Sequence, residues 1–174
     1  MRDKKYLKSL LEYNAWANSV LYKKVMELPS EEIMKERKTS LQSIFVSLNH
    51  LLAVDQIWLA HMQGLKHNIK VLREALHEDM TTLWKARQDM EITLLDYLQS
   101  LTEDGLEEVI DYELIGGNQG SLSRAMCLTH LVLHGSYHRG WIADMFGQAE
   151  TQPALIDIPV YERTIRGNGS VELP

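Results

Sequence analysis

Four stretches of this chain repeat apolar residues at steps of three and four, and that period restricts the fold more than any other feature. In the first, Leu7, Leu10, Ala17, Leu21, Val25 and Leu28 share one helical face over about residues 5–28, which Pro29 and Ser30 end. The second carries Phe45, Leu48, Leu52 and Leu59 beside His50, from a cap at Thr39 or Ser40 to roughly Gln63, where Gly64 stops it. Leu83, Trp84, Met90, Leu94, Tyr97 and Leu98 mark the third, between Asp79 and Leu101. The fourth opens at Ser121 or Ser123 and runs to about Phe146, ended by Gly147. Residues 31–38 hold at most one short turn, and residues 64–76 show no clear period. Over 109–120, β-branched and aromatic residues followed by Gly116-Gly117-Asn118 predict a short hairpin or ordered loop.

Four amphipathic helices with one non-helical connection before the last pack most simply as an all-α four-helix bundle. The length of 174 residues suits one domain, able to bury about 70% of the surface its unfolded chain exposes. Residues 1–150 are expected to form the bundle and 151–174 a C-terminal extension packing on it. Pro153 and Pro159 break periodicity there, and Gly167-Asn168-Gly169-Ser170 predicts a frayed end. Cys127 is the single thiol, which excludes an intramolecular disulfide and a cysteine-based zinc knuckle. No run of about 18 apolar residues offers a membrane span, and Lys8 and Glu12 interrupt the stretch a signal peptide would need. A cytoplasmic protein is therefore expected. With 24 Asp and Glu against 18 Lys and Arg there is no basic patch for nucleic acid.

Chemistry concentrates in the seven histidines, three of which stand at steps of four in His130-Leu-Val-Leu-His134-Gly-Ser-Tyr-His138. Residues four apart on a helix have Cβ atoms about 5–6 Å apart, so neighbouring imidazoles converge on one ion. His130 and His138 are roughly 12 Å apart along the axis and do not share one. Either adjacent pair needs a third ligand from another helix, where His50 and His61 are the candidates. Three neutral imidazoles and an open position suit zinc, nickel or iron rather than calcium or magnesium. Gly135 follows His134, so the glutamate base of H-E-x-x-H proteases is missing. His67 and His77 carry no assigned role.

Three segments, Tyr13-Asn14-x-Trp16-Ala17-Asn18, Asn49-His50-Leu51 with Asp55 and Trp58, and His134-x-x-x-His138-Arg139-Gly140, resemble the DinB/YfiT family of metal-dependent bundle proteins over about residues 5–147. The resemblance implies up-down-down-up connectivity, a divalent ion, commonly zinc or nickel, with His50, His134 and His138 as ligands, and a homodimer. It further implies an S-transferase acting on a small molecule with a low-molecular-weight thiol. A hydrolase and a non-catalytic, stress-related dimeric bundle are the alternatives. Family members usually carry glutamine where this chain has Trp141. His130 fits the family pattern one turn before the ligand pair and is read as a supporting or core residue.

No acid or base is identified, and the 109–119 connection is expected to border the pocket. Asn14 is read as a packed structural amide rather than a ligand contact. Asp55, about 140° around the helix from His50, is assigned an ion pair or surface role away from the metal. Arg139 is read as a structural or interface salt-bridge residue and Cys127 as a small core hydrophobe. Trp16, Trp58, Trp84 and Trp141 are read as core and interface anchors.

Overall fold

Short polar side chains fix where the long helices start. Asp3 accepts a hydrogen bond from the Lys5 amide at 2.8 Å and opens α1 (Lys4–Val25); α2 (Ser30–Met34) is a single short turn after Pro29. Ser43, not Thr39 or Ser40, caps α3 (Ile44–Met62), because its Oγ accepts from the Val46 amide. Gly64, at φ +69°, closes that helix in a left-handed conformation. Asp79 caps α4 (Met80–Ser100), Thr102 caps α5 (Glu103–Glu107), and the hairpin follows as β1 (Val109–Glu113) and β2 (Gln119–Ser123). Ser123 then opens α6 (Arg124–Gln148). The structure, a computed structural model, describes residues 3–167.

A last helix, α7 (Ile158–Gly167), runs where the two prolines predicted no periodic structure. Pro159 sits in its first turn, where a missing amide hydrogen leaves no intrahelical bond unmade. Tyr161 anchors it to α1 by packing 5.8 Å from the Tyr13 ring and 5.3 Å from Trp16, while the Tyr13 hydroxyl donates to the Ile156 carbonyl at 2.9 Å. Except for Gly167, the frayed end expected at Gly167–Ser170 lies outside the described residues. Among those residues, no helix is long and apolar enough to cross a membrane.

Side-chain contacts give the direction of each long helix. Lys4 at the start of α1 donates to the carbonyl of Gln99 near the end of α4, and Asn18 meets Glu91, so these two are antiparallel. Asp55 meets Arg87 and the Met62 carbonyl meets Tyr97, so α3 and α4 are parallel. Helix α6 runs against α3, with His138 at His50 and Arg124 at Met62, and alongside α1, with Arg139 at Asn14 and with Thr129 and Tyr6 lining one groove. The result is the up-down-down-up bundle, with α3 and α4 as parallel neighbours joined by the irregular crossover 63–79.

The core divides into two apolar clusters. One gathers Leu7, Leu11, Trp16, Trp58, Leu94, Leu98, Leu128 and Leu131, and the other Leu21, Tyr22, Leu48, Leu52, Leu83, Ile142 and Phe146. Between them lies a polar layer drawn from every long helix. Arg139 Nη1 donates to Asn14 and Asn18, Asn18 donates to Glu91, and Arg87 sits 2.9 Å from Glu91 and 2.6 Å from Asp55, all of these residues buried. Asp55 is therefore an interior ion-pair residue and not a surface one. Gly135 makes the layer possible: a Cβ there would lie 2.8 Å from both Arg139 Nη1 and Asn14 Oδ1.

Burial raises the pKa of Asp55 and Glu91, and the Arg87 guanidinium opposes that rise. Arg87→Met removes the cation and strands two buried carboxylates, so a loss of about 3–5 kcal/mol is expected in urea unfolding at pH 7. The variant's folded state then binds more protons than its unfolded state, so stability falls as pH rises and the deficit is smaller at pH 5 than at pH 7. Gly135→Ala, which drives a methyl into the Arg139–Asn14 contact, is expected to cost roughly 1–3 kcal/mol in the same measurement.

Candidate metal centre

His134 and His138 lie one turn apart on α6, as the spacing of four requires, and the antiparallel approach of α3 brings His50 against both. The His50 ring centroid is 5.2 Å from that of His134 and 4.6 Å from that of His138, and the α6 pair is 4.4 Å apart. One nitrogen from each ring lies within 4.8 Å of the other two, a group able to hold a metal ion and containing no Asp, Glu or Cys. His50 and His138 are buried and His134 is half-buried.

The ring of His50 is oriented from outside the cluster. Its Nδ1 contacts the Leu72 carbonyl at 3.1 Å, and since a carbonyl only accepts, Nδ1 carries the hydrogen and Nε2 is left with its lone pair. That Nε2 is 3.3 Å from Nε2 of His134. Two nitrogens each about 2.0–2.1 Å from one tetrahedral ion are separated by about 3.4 Å, so the pair already has a ligand spacing. A backbone acceptor behind a histidine is the usual support for a ligating ring. Leu72 belongs to the crossover, which is also tied to α3 by the His77 amide donating to Asn49 Oδ1 at 3.0 Å.

Burial, followed by the mutual proximity of the rings, lowers the pKa of His134 to about 3 and of His138 to about 4. His50 is also lowered, again chiefly by burial. All three are thus neutral at pH 7 and keep lone pairs for coordination. Among the described residues, Nδ1 of His134 and Nδ1 of His138 are buried without a hydrogen-bond partner, and the nitrogen of His134 that faces His50 is its Nε2. The residues present therefore fit a divalent ion of the nitrogen-preferring kind.

His130 stands outside the three, with its ring 5.5 Å from His134 and 4.9 Å from Trp58. His61, the other candidate third ligand on α3, is not in the group; it packs 5.4 Å from His67 at the far end of that helix. The hairpin borders a cleft that includes His61 and His67, and the three clustered histidines are not among its walls. Trp141 packs 4.8 Å from His138, next to the exposed Tyr137. Asn14 and Arg139 turn toward the buried network rather than the cluster. Trp16 and Trp58 are buried, Trp84 packs on Tyr22, and Cys127 is buried with its thiol pushed up to about 11.

Sequence reasoning missed two contributors to this region. The Leu72 carbonyl is a backbone group with no signature in residue identity. The Arg87–Glu91 pair carried one, a charged i, i+4 couple inside an apolar helix face.

The chain matches the DinB family over residues 1–168. It is 29% identical over 167 residues to Protein DinB of Bacillus subtilis (strain 168), spanning 87% of this chain and 91% of that protein. The crystal structure of a DinB-like protein from Bacillus cereus ATCC 10987 superimposes with a TM-score of 0.61 over 82% of this chain and 91% of that one. Sequence identity in that pair is 18%, so the likeness concerns the fold. The family match spans the four long helices, the crossover and the hairpin together, and this chain belongs to the DinB family.

Proposed function

We propose that the protein is a divalent-metal-dependent enzyme that transfers a small thiol to an electrophilic small molecule, with His50, His134 and His138 holding the ion. The observation that carries this reading is the convergence of three neutral imidazoles from two helices in a group with no carboxylate. Three nitrogen ligands leave a position for substrate, and the single cysteine, buried on α6, leaves coordination to histidine.

When bound, a zinc or nickel ion supplies Lewis acidity that lowers the pKa of a substrate thiol, so no protein base is required. Such chemistry suits a site whose own titratable groups are already neutral. A hydrolase, by contrast, commonly draws on a carboxylate as general base, and none belongs to the group. In the transfer a sulfur–carbon bond forms as the bond to the leaving group breaks, and the thiol proton passes to solvent.

The chain's own part is positional. The Leu72 carbonyl fixes the His50 ring, helix geometry fixes the His134–His138 pair, and His130 with Trp58 packs against one flank of the cluster. Trp141 lies beside His138, where the glutamine common in the family would offer hydrogen bonds, and this chain presents an aromatic edge instead.

Elemental analysis after dialysis against zinc or nickel is expected to find one ion per chain, retained in His130→Ala and lost in His50→Ala, His134→Ala and His138→Ala. A metal at a hundredfold its Kd adds about 2.7 kcal/mol to the unfolding free energy, which the three ligand variants should not show. Absence of bound metal in the wild-type protein would overturn the assignment. Activity on a panel of alkyl halides and epoxides is expected only with added thiol, and equal turnover without thiol would identify a hydrolase.

A further inference from the structure

A cleft of about 1020 Å³ opens between the C-terminal end of α3, the residues that follow it, and the β1–β2 hairpin. Its volume is at the upper end of the range of small-molecule sites, roughly 300–1,000 Å³. His61, Lys66, His67 and Lys70 contribute to one wall. Among the described residues, neither imidazole makes a hydrogen bond, and His61 Nε2 and His67 Nδ1 are buried without partners. Lys66 and Lys70, both exposed, form no ion pair among the described residues. The wall thus carries hydrogen-bonding rings and cations that the fold itself leaves unanswered.

The hairpin side is different. Tyr112 faces the bundle, 4.8 Å from Trp58 and 6.2 Å from His61, with its ring lying over Gly120: a Cβ on that glycine would fall 2.7 Å from Tyr112 Cζ. Asp111 and Glu113 also border the cleft, but strand alternation puts them on the opposite face of β1 from Tyr112. There Ser121 Oγ donates to Asp111 at 2.6 Å and Gln119 Nε2 to Glu113 at 3.0 Å. Both carboxylates thus already accept a hydrogen bond within the hairpin, whereas Lys66 and Lys70 are cleft charges without an ion-pair partner among the described residues, and Tyr112 supplies an aromatic surface.

A metal ion does not match this space. His61 and His67 offer two nitrogens, no carboxylate completes a group of three with them, and the lysines repel a cation. An oxyanion matches it, since ammonium and imidazole donors both favour negative charge and the bond to a charged acceptor is the stronger kind. We propose that this cleft is a second ligand site, separate from the three-histidine cluster, which binds a small organic anion with its oxyanion against His61, Lys66, His67 and Lys70 and its apolar part on Tyr112. His50 and His61 are eleven residues apart on α3, about 16 Å along the axis, so the two sites lie at different levels of the bundle.

The test uses the full chain and phenyl phosphate, followed by the imidazole NMR signals of His61 and His67 and by calorimetry. Saturable binding is expected, and benzoate in a parallel titration separates a phosphate preference from a general oxyanion preference. Lys66→Ala with Lys70→Ala, and separately His61→Gln with His67→Gln, should weaken binding about tenfold or more, with unfolding midpoints reporting that each variant is folded. His134→Ala is expected to leave anion binding unchanged, which separates this site from the metal centre. No saturable binding, equal affinity for uncharged benzyl alcohol, undiminished affinity in both double variants, or loss of binding in His134→Ala would each overturn the proposal.

Discussion

The buried polar layer joining Asn14 and Asn18 to Arg139, Glu91, Arg87 and Asp55 is the interaction on which the rest of the bundle depends. Apolar packing tolerates sliding and rotation of helices, because one leucine contact resembles the next. A chain of charged and amide groups does not, since each member shifted out of register becomes an unpaired polar group in the interior. All four long helices contribute to this one, so it sets their depth and rotation relative to each other. The two apolar clusters on either side supply the burial that keeps the layer dry.

The same register places the histidines. His138 and Arg139 are adjacent on α6 and point to different sides, the ring toward His50 and the guanidinium toward α1. Holding Arg139 between Asn14 and Asn18 therefore also holds His138 against α3. Gly135 stands between these two tasks, and the residue whose place excludes a protease-type glutamate is the one whose missing side chain admits the Asn14–Arg139 contact. Connectivity adds the last support: parallel neighbours α3 and α4 require a long crossover, and that crossover carries the carbonyl that orients His50.

Much of this was legible in residue order. Asp79 announced one helix start, Ser121 or Ser123 another that the structure gives to Ser123, and Gly64 a helix stop, through local hydrogen bonding and backbone freedom that need no tertiary partner. Helical spacing gave two adjacent imidazole pairs on α6, and the family resemblance singled out His134 and His138, which the structure brings together with His50. Thr39 and Ser40 resembled caps as well as Ser43 does, because a cap is chosen by where the chain turns and not by the side chain alone. Helix α7 was hidden by Pro159, a breaker in mid-helix and harmless in a first turn. His61 and His67 gave no local signal, since residues at the end of a helix and in an irregular segment meet only when the chain folds back.

By itself the sequence determined the helices, their apolar faces and the presence of an imidazole pair on α6, because period and capping act within a few residues. Spacing alone left open whether His50 or His61 joins the pair, the family resemblance named His50, and the tertiary structure brings His50 to it. His50 and His61 occupy the same helix with equal claim in composition, and only the antiparallel docking of α3 on α6, fixed by the buried ion network, puts one at His134 and the other eleven residues away facing a different cleft. Distance along a chain says nothing about that choice, whereas a register held by buried charges leaves a single solution.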